Sequence, residues 1–403
     1  MSSIKWSKND LPKTDDRYLS LVSLEQAHSA RKFHKSFPQY SVTPLADLSC
    51  SAKEMGLGGI YVKDESYRFG LNAFKVLGGS YAIGKFVAQQ LGKDISEVNY
   101  DFLTSDEFKN NFPKYTFFTA TDGNHGRGIA WAADKLGQKA VVLMPKGSTL
   151  NRLNHIKALD ADVTIEELNY DDCVRKAAEL SAATPSSAVI QDTAWDGYEE
   201  IPAWIMQGYT TMVDEALEQL NALGVERPTH VFLQAGVGSM ASAVAGYLVS
   251  RFPNDPPRIA VMECRAADCY YRSAVEGSGE AEVVGGDLAS IMAGLCCGEV
   301  NTLAWDILKN HADAFISCDD VISANGMRRL AAPVQGDPSV VSGESGAVGM
   351  GVIDALCRKG EYPELKKHLG LDENSRILLI STEGDTDPEL YRRIVWDGEW
   401  NNK

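Results

Sequence analysis

The fold is decided by the stretch Asp64-Glu65-Ser66-Tyr67-Arg68-Phe69-Gly70-Leu71-Asn72-Ala73-Phe74-Lys75-Val76-Leu77-Gly78-Gly79-Ser80-Tyr81. Before it, residues 59–63 form a short apolar run with the composition of a buried strand. Within it, apolar side chains begin to recur at helical spacing, and they continue to residue 87. The pattern predicts a strand, a turn and a helix, with Lys75 in the first turn of that helix.

Lys75 is an unusual residue for this predicted position. A helix N-terminus favours negative charge, and Phe74 and Val76 place apolar side chains on both sides of the lysine. Both effects disfavour the charged form of the amine, which suits a nucleophile or a base. The ordinary alternative is a surface lysine whose stem lies along the protein and whose amine is in water.

A second stretch, Val231-Phe232-Leu233-Gln234-Ala235-Gly236-Val237-Gly238-Ser239-Met240, leads into a predicted helix. Glycines let backbone N–H groups converge on a phosphate, and the helix N-terminus adds its dipole. The stretch lacks the full dinucleotide pattern and the Lys-Ser/Thr pair of a P-loop, and any tight strand-to-helix turn requires glycine. Together with an activated lysine, however, a phosphate site favours pyridoxal 5'-phosphate bound through a Schiff base.

Three motifs carry a resemblance to a known family: Asn72-Ala73-Phe74-Lys75, Thr121-Asp122-Gly123-Asn124-His125-Gly126 and Gly236-Val237-Gly238-Ser239-Met240. In this order they resemble the β-family of pyridoxal-phosphate enzymes, the group of threonine dehydratase and the tryptophan synthase β-subunit. In that group the middle motif usually begins with serine, as Ser-x-Gly-Asn-His. The aspartate here, with Asp192-Thr193-Ala194-Trp195-Asp196-Gly197-Tyr198, is similar to the diaminopropionate ammonia-lyases. The similarity extends from Tyr61 to Tyr391.

The resemblance implies an α/β protein of fold-type II with two domains, built on open, mostly parallel sheets flanked by helices. Strands alternating with helices between residues 116 and 191 also favour a parallel sheet there. We expect a small α/β domain at residues 85–193, inserted in a large cofactor-binding domain of residues 1–84 and 194–403. Strands of the large domain are predicted at residues 231–234, 259–263 and 377–381, and a helix is predicted to begin at Pro44-Leu45.

The resemblance also assigns residues to the cofactor pyridoxal 5'-phosphate. Asn124 matches an asparagine that hydrogen-bonds the phenolic oxygen, although an Asn-Gly-type turn residue is the alternative. Residues 380–385, Ile-Ser-Thr-Glu-Gly-Asp, resemble a turn whose serine makes a neutral hydrogen bond at the pyridine nitrogen. Ser381 is the first choice for that role and Thr382 the second. Lys75 is the amine that binds the cofactor, with Phe74 beside it.

Asp122 and Asp192 are the predicted catalytic carboxylates, with Lys75 as the third catalytic group. On the residues alone, an aspartate after an apolar strand is more often a turn former or a helix cap. The resemblance implies that Asp122 serves the D-isomer of the substrate and Asp192 the L-isomer. A carboxylate can bind the second amino group of diaminopropionate, and the reaction also needs a base for the α-proton.

Three further residues are candidate substrate contacts: Thr121, His125 and Glu344. Glu344 lies in the glycine-rich stretch 342–347, for which a tight turn before a helix is the alternative interpretation. His125 either packs beside the cofactor or only fills its turn.

The predicted function is the pyridoxal-phosphate-dependent elimination of 2,3-diaminopropionate, in both isomers, to pyruvate and two ammonia molecules. A serine or threonine dehydratase of the same fold is the alternative enzyme, but a hydroxyl leaving group does not need Asp122. A non-catalytic pyridoxal-phosphate-binding protein is the remaining alternative, and it would need neither acid. The predicted partner is a small amino acid, and the resemblance suggests a homodimer.

Composition limits the other partners. The chain has 403 residues and a net charge of -16, which disfavours nucleic acid and anionic membranes. No apolar run approaches a membrane span, and residues 1–8 lack the apolar core of a signal peptide, so we expect a cytoplasmic protein. The spacings of the eight cysteines do not repeat a Cys-x-x-Cys pair, and no histidine lies among them at ligand spacing. No metal site is therefore expected. Reduced thiols are the default, with one labile disulfide left open.

Overall fold

The computed structural model describes residues 3–121 and 123–401. Its strands are β1 (Ile4–Lys8), β2 (Leu45–Asp47), β3 (Gly59–Asp64), β4 (Thr116–Ala120), β5 (Lys139–Met144), β6 (Asp162–Ile165), β7 (Ser187–Val189), β8 (His230–Gln234), β9 (Arg258–Cys264), β10 (Ala314–Cys318) and β11 (Arg376–Ser381). Its α-helices are α1 (Leu24–Lys35), α2 (Ser49–Glu54), α3 (Val76–Leu91), α4 (Tyr100–Thr104), α5 (Asp106–Asn111), α6 (Asn124–Lys135), α7 (Leu150–Lys157), α8 (Tyr170–Ala182), α9 (Glu200–Ala222), α10 (Ser239–Arg251), α11 (Cys269–Glu276), α12 (Thr302–His311), α13 (Asp320–Ala331), α14 (Val348–Ile353), α15 (Pro363–Leu369) and α16 (Pro388–Val395).

The strands form two sheets. Within the described residues, the larger sheet has seven strands in the order β1-β10-β9-β8-β11-β3-β2. Its five central strands run parallel, whereas the edge strands β1 and β2 pair antiparallel with β10 and β3. The smaller sheet has four parallel strands in the order β6-β5-β4-β7. The predicted class, an α/β protein with open and mostly parallel sheets, is confirmed.

The edges of the larger sheet differ from the prediction. Residues 45–47 form the edge strand β2, in which Ala46 pairs with Val62 of β3, and the helix α2 begins only at Ser49. The helix predicted to begin at Pro44-Leu45 is therefore wrong, because pairing with β3 overrides local helix propensity in so short a segment. Strands β1 and β10 were not predicted either.

The division into two domains remains a prediction. The smaller sheet takes its strands from residues 116–189, and the larger sheet takes its strands from residues on both sides of that range. Helix α3 continues without interruption through residues 84 and 85, where the first boundary was expected.

Helix α3 packs against α9 at very close range. A Cβ atom on Gly208 of α9 would lie 2.4 Å from the carbonyl oxygen of Leu77 and 2.9 Å from the Cα atom of Gly78. No other residue than glycine fits this contact without moving one of the two backbones. His34 of α1 donates from Nε2 to the same Leu77 carbonyl at 2.9 Å. These contacts fix the N-terminal end of α3, which carries Lys75.

A buried ion-pair network fixes the turn between β3 and α3. Lys63 of β3 and Arg68 of the turn both contact Glu215 of α9 at 2.8 Å. Arg68 also pairs with Glu65 at 2.8 Å, and all four side chains are fully buried. Burial alone raises the pKa of Glu215, but Arg68 and Lys63 outweigh it and lower the pKa to about 2. Glu215 is therefore a carboxylate at neutral pH, held between the buried side chains of Lys63 and Arg68.

Glu215→Gln tests the importance of this balance. The substitution leaves one buried cation without a counter-charge, and we expect it to lower the free energy of unfolding by about 3–5 kcal/mol. The matched control is Glu218→Gln on the same helix, whose side chain is 65% exposed and pairs with Arg31; we expect it to cost less than about 1 kcal/mol. The measurement is the urea concentration at the unfolding midpoint. Equal losses in the two variants would contradict the account.

Candidate active site

The carboxyl ends of the central strands bring distant segments together. Strands β3 and β11 end side by side, because Asp64 pairs in register with Ser381. The turn after β3 reaches the turn after β11, where the Phe74 N–H donates to the Thr382 carbonyl at 3.0 Å. In open α/β sheets, ligands bind outside the carboxyl ends of the strands. Lys75 follows Phe74 directly and therefore lies at this edge of the larger sheet.

A cavity lies between this edge and the smaller sheet. The space in the cavity and its solvent-open mouth together is about 680 Å³. It is lined by Phe74, Lys75, Thr121, Asn124, His125, Tyr170, Asp192, Gln234, Ala235, Gly236, Val237, Gly238, Ser239, Met240, Ala293, Gly294, Leu295, Cys297, Ser345, Thr382 and Glu383. The structure thus brings together the lysine motif, the asparagine motif, the glycine-rich motif and Asp192.

Asp192 and Lys75 form an ion pair across the cavity. The Lys75 Nζ atom donates to Oδ2 of Asp192, which lies beyond the end of β7 and is almost fully buried. Nδ1 of His125 lies 3.8 Å from the same oxygen. Burial alone raises the pKa of Asp192, but the charges of His125 and Lys75 and a hydrogen bond from Tyr170 lower it to about 2. Asp192 is therefore a carboxylate at neutral pH.

The turn after β4 places Asn124 and His125 in the cavity wall. The Thr121 side-chain oxygen accepts hydrogen bonds from the N–H groups of Gly123 at 2.9 Å and Gly126 at 3.0 Å. Thr121 therefore shapes the start of α6. His125 donates from Nε2 to the Ile190 carbonyl at 2.8 Å, so Nδ1 is the ring nitrogen that faces Asp192. Asp122, a predicted catalytic residue, lies outside the described residues.

The glycine-rich turn at the start of α10 has the features of a phosphate site. The Val237 carbonyl points away from the cavity, since it accepts from the Tyr270 hydroxyl at 2.9 Å and the Asn301 N–H at 2.8 Å. The first N–H groups of α10 are orphan donors of a helix N-terminus, and none of them donates to a protein acceptor in the described part of the chain. Ser239 can offer a phosphate only its N–H group, because its hydroxyl donates to the main-chain carbonyl of Asp192.

These residues fit pyridoxal phosphate. Lys75 supplies the amine, and the α10 N-terminus supplies N–H donors and a favourable dipole for a dianionic phosphate. Gly238 has φ +97°, and a Cβ atom there would lie 1.9 Å from the Tyr270 hydroxyl oxygen, so the turn depends on glycine. An amine beside a set of N–H donors is what a ligand with an aldehyde and a phosphate requires.

The structure distinguishes Thr382 from Ser381. Thr382 lines the cavity, whereas the Ser381 hydroxyl is buried and donates to the Ser342 hydroxyl at 2.8 Å. Gln234 donates from Nε2 to the Ile380 carbonyl at 2.9 Å and to the Thr382 hydroxyl oxygen at 3.1 Å. Thr382 thereby keeps its own proton for another acceptor. Of the two predicted hydroxyls, the second choice, Thr382, lies in the cavity wall and the first choice, Ser381, lies behind it.

Glu344 does not line the cavity. Its buried carboxylate lies 4.0 Å from the Arg152 guanidinium, and the neighbouring Ser345 is the residue in the cavity wall. Burial raises the pKa of Glu344 to about 7, because it outweighs the charge of Arg152. Within residues 3–121 and 123–401, the structure therefore does not place Glu344 in the cavity wall with the other predicted site residues.

Several residues of the cavity wall were not predicted, and Tyr170 and Glu383 are the two of them with charged or hydroxyl side chains that make defined hydrogen bonds. Tyr170 begins α8 and donates to Oδ1 of Asp192 at 3.2 Å, but no local pattern distinguishes it from a core tyrosine. Glu383 accepts at Oε1 from the N–H groups of Ser345 at 3.0 Å and Gly346 at 2.9 Å. Its position directly after β11, two residues beyond Ser381, was the signal that could have identified it.

Three further observations concern metal ligands, membrane-spanning helices and cysteines. Among the residues described, no group of three or more histidines, cysteines and carboxylates could hold a metal ion. None of the helices in residues 3–121 and 123–401 has the length and apolarity needed to cross a membrane. The cysteines are free thiols, with the Sγ atoms of Cys264 and Cys296 4.0 Å apart.

Comparison with known proteins identifies the family. The family model described as "Pyridoxal-phosphate dependent enzyme" matches residues 37–381. The chain therefore belongs to the pyridoxal-phosphate dependent enzymes, and the predicted cofactor is confirmed. It is 51% identical over 381 residues to the diaminopropionate ammonia-lyase of Salmonella typhimurium, across 94% of each chain. It is 50% identical over 380 residues to the enzyme of that name from Escherichia coli strain K12, across 94% of this chain and 93% of the other.

Solved structures confirm the fold. The holo diaminopropionate ammonia lyase from Escherichia coli superposes with a TM-score of 0.91 at 46% identity, covering 98% of this chain and 97% of that one. The same enzyme in complex with D-serine superposes with a TM-score of 0.90 at 45% identity, covering 98% of both. Maize serine racemase has a TM-score of 0.69 at 19% identity, covering 93% of this chain and 97% of that one, and shares the fold.

Gly238→Asp tests the phosphate site. The new carboxylate repels a phosphate and its Cβ clashes with Tyr270, so we expect the Kd for pyridoxal phosphate to rise by at least about tenfold. The matched control is Gly92→Ala, because Gly92 also has positive φ but a Cβ there meets no atom within 4 Å. The measurement is the bound cofactor at equilibrium for each protein. A Gly238→Asp variant that retains wild-type affinity would place the phosphate elsewhere.

Proposed function

We propose that this protein is a lyase that converts 2,3-diaminopropionate and one water to pyruvate and two ammonia molecules. The observation that carries the proposal is the buried carboxylate of Asp192 beside the Lys75 amine, in the wall of a cavity with a phosphate site. A substrate with a second amino group needs an anion near its β-carbon. Identity of about half the residues to two diaminopropionate ammonia-lyases, over nearly the whole chain, supports the same reaction.

Five groups of the chain would hold the cofactor. The Lys75 amine would bind it covalently, the N–H groups of residues 236–240 would bind its phosphate, and Phe74 would pack beside it. Asn124 would donate to its phenolic oxygen, and the Thr382 hydroxyl would donate to its ring nitrogen. When bound, pyridoxal phosphate withdraws electrons from the α-carbon of the amino acid, which lowers the cost of removing the α-proton.

The Thr382 hydroxyl is suited to a ring nitrogen that stays neutral. Its oxygen already accepts from Gln234, so its proton is the group left to donate. A neutral donor leaves the ring a weaker electron acceptor than a carboxylate partner would. Reactions in which the leaving group departs promptly with the electrons, such as β-elimination of an amine, tolerate this weakness best.

Asp192 would bind the departing amino group or take the α-proton of the L-isomer. Ion-paired with Lys75, its pKa of about 2 makes it a poor proton acceptor. Once Lys75 no longer presents an ammonium group to it, one cause of the low pKa is removed and burial raises the proton affinity. Lys75 and Asp192 are therefore suited to exchange one proton between Nζ and Oδ2. His125 would keep the carboxylate oriented through its Nδ1 atom.

Asp122 would serve the D-isomer from the opposite face of the substrate. One base cannot be within hydrogen-bond reach of the α-hydrogens of both isomers when both are bound in the same orientation. Thr121 would support the start of α6 through its bonds to the N–H groups of Gly123 and Gly126. Glu344 would be an outer residue that pairs with Arg152.

We further propose that the enzyme acts as a homodimer in the cytoplasm. The cysteines of the chain carry free thiols, which supports a reducing compartment. The family resemblance supports the dimer. Light scattering after size exclusion would test it, with a mass of twice 43.9 kDa expected and the mass of one chain contradicting it.

A steady-state assay with six substrates tests the reaction. We expect kcat/KM for D- and L-diaminopropionate to exceed the values for D- and L-serine and for D- and L-threonine by at least about a hundredfold, the cost of leaving the carboxylate without its cationic partner. Each pyruvate formed from diaminopropionate should be accompanied by two ammonia molecules. Preference for serine or threonine, with one ammonia for each oxo acid, would make the protein a dehydratase instead.

Asparagine variants of the two acids test the two-base proposal. Asp122→Asn keeps the size and hydrogen bonding of the side chain but removes the base, so turnover of the D-isomer should fall by about a hundredfold to ten-thousandfold. Asp192→Asn should mainly reduce turnover of the L-isomer. The measurement is kcat/KM for each variant with each isomer. Equal losses on both isomers would indicate a shared binding role and would exclude separate bases.

A further inference from the structure

The side chain of Gln191 has only one orientation that satisfies its hydrogen bonds. It lies beside the end of β4, and its Oε1 atom accepts from the Ala120 N–H at 2.9 Å and from the Thr119 hydroxyl at 2.9 Å. A main-chain N–H can only donate, so the amide oxygen must face Ala120 and the NH₂ group must face the opposite way. Gln191 is fully buried, which makes any other orientation costly.

The NH₂ group of Gln191 faces Tyr170 and Asp192. It donates to the Tyr170 hydroxyl oxygen at 2.8 Å and to Oδ1 of Asp192 at 3.3 Å. Because the Tyr170 oxygen accepts from Gln191, its own proton is directed to Oδ1 of Asp192, at 3.2 Å. The chain of donors therefore runs in one direction, from the Ala120 main chain to the carboxylate.

The two oxygens of Asp192 consequently have different surroundings. Oδ1 receives two donors, one from Tyr170 and one from Gln191. Oδ2 faces Lys75 and, at 3.8 Å, Nδ1 of His125. A carboxylate oxygen that already accepts two hydrogen bonds is a poor site for a further proton. Oδ2, on the Lys75 side, is therefore the oxygen of Asp192 with more capacity to accept a proton.

We propose that Tyr170 and Gln191 are positioning residues that saturate Oδ1 of Asp192 and leave Oδ2 as its reacting oxygen. This inference rests on the proposed function, because it assigns the supporting residues of a carboxylate whose role is stated there. Gln191 contributes through Tyr170 and Asp192, and it is not part of the cavity wall.

The alternative is that Gln191 only ties the ends of β4 and β7 together. Both interpretations predict some loss of activity when Gln191 is changed, but only the positioning role acts through Asp192. A double-mutant cycle separates them, because coupled residues give non-additive effects whereas independent structural effects multiply.

The experiment compares Tyr170→Phe and Gln191→Glu, alone and combined with Asp192→Asn. Gln191→Glu keeps the acceptor for Ala120 but has no proton for Tyr170, whose hydroxyl then turns toward the new carboxylate. Each change should lower kcat/KM for L-diaminopropionate by about tenfold to a hundredfold, the usual effect of a lost hydrogen bond to a charged group. In the Asp192→Asn background the same changes should lower it less than about threefold.

Tyr198→Phe is the matched control. Its hydroxyl is also buried beside Gln191, but it accepts from the Gln191 main-chain N–H and donates to the Val189 carbonyl, both at 2.9 Å. The change removes the same group without altering the donors to Asp192. Any loss in this variant should persist unchanged in the Asp192→Asn background.

A second readout needs no turnover. The visible absorbance of the resting holoenzyme changes with pH, and the midpoint of the change on the acid side depends on the charge beside Lys75. The titratable groups around Asp192 are Lys75, His125, Tyr170 and Tyr198. Hydrogen bonds to the carboxylate favour its charged form, so Tyr170→Phe and Gln191→Glu should move the midpoint to higher pH by about one unit. Tyr198→Phe should not move it.

The outcomes are distinguishable. The positioning role would be overturned if Tyr170→Phe and Gln191→Glu lowered kcat/KM by the same factor with and without Asp192→Asn, and if neither change moved the absorbance midpoint. If the wild type does not act on diaminopropionate, the proposed function fails, and the cycle is then measured with the amino acid that the wild type does convert. The absorbance midpoint tests the positioning role in either case.

Discussion

The ion pair between Lys75 and Asp192 is the contact on which the site depends, because it joins the two sheets. Lys75 follows the end of β3 in the larger sheet, and Asp192 follows β7 in the smaller one. Opposite charges attract strongly in a mostly buried cavity, and His125 and Lys75 lower the pKa of Asp192. The same contact brings the amine and the carboxylate of the proposed reaction together before any substrate binds.

Contacts outside the cavity hold the Lys75 and Asp192 side chains in place. The balanced network around Glu215 fixes the turn that leads to Lys75, and the close contact at Gly208 fixes the helix that follows it. On the other side, the Ser239 hydroxyl donates to the Asp192 main-chain carbonyl, and the Ser239 N–H lies at the glycine-rich turn that begins α10. Buried polar contacts therefore connect the Lys75 amine, the Asp192 carboxylate and this glycine-rich turn.

Local motifs could be predicted from the sequence, whereas the contacts between them could not. Lys75 and Gly238 stand in stretches whose pattern is carried by neighbouring residues, and both lie in the cavity wall. Tyr170 was not, because its role depends on a carboxylate 22 residues away that only the smaller sheet brings near. The sequence could not decide which of Ser381 and Thr382 lines the cavity, because adjacent residues near a strand end face opposite sides and a shift of one residue exchanges them. The edge strand β2 has three residues, too few to show a period.

The most direct test of the account is to identify the lysine that binds the cofactor. The holoenzyme is reduced with borohydride and digested, and the peptide that carries the cofactor is sequenced by mass spectrometry. The account predicts one modified site, Lys75, in the peptide that contains Asn72-Ala73-Phe74, and no modified peptide from Lys75→Ala treated in the same way. Attachment to any other lysine, or fixation that persists in Lys75→Ala, would contradict it.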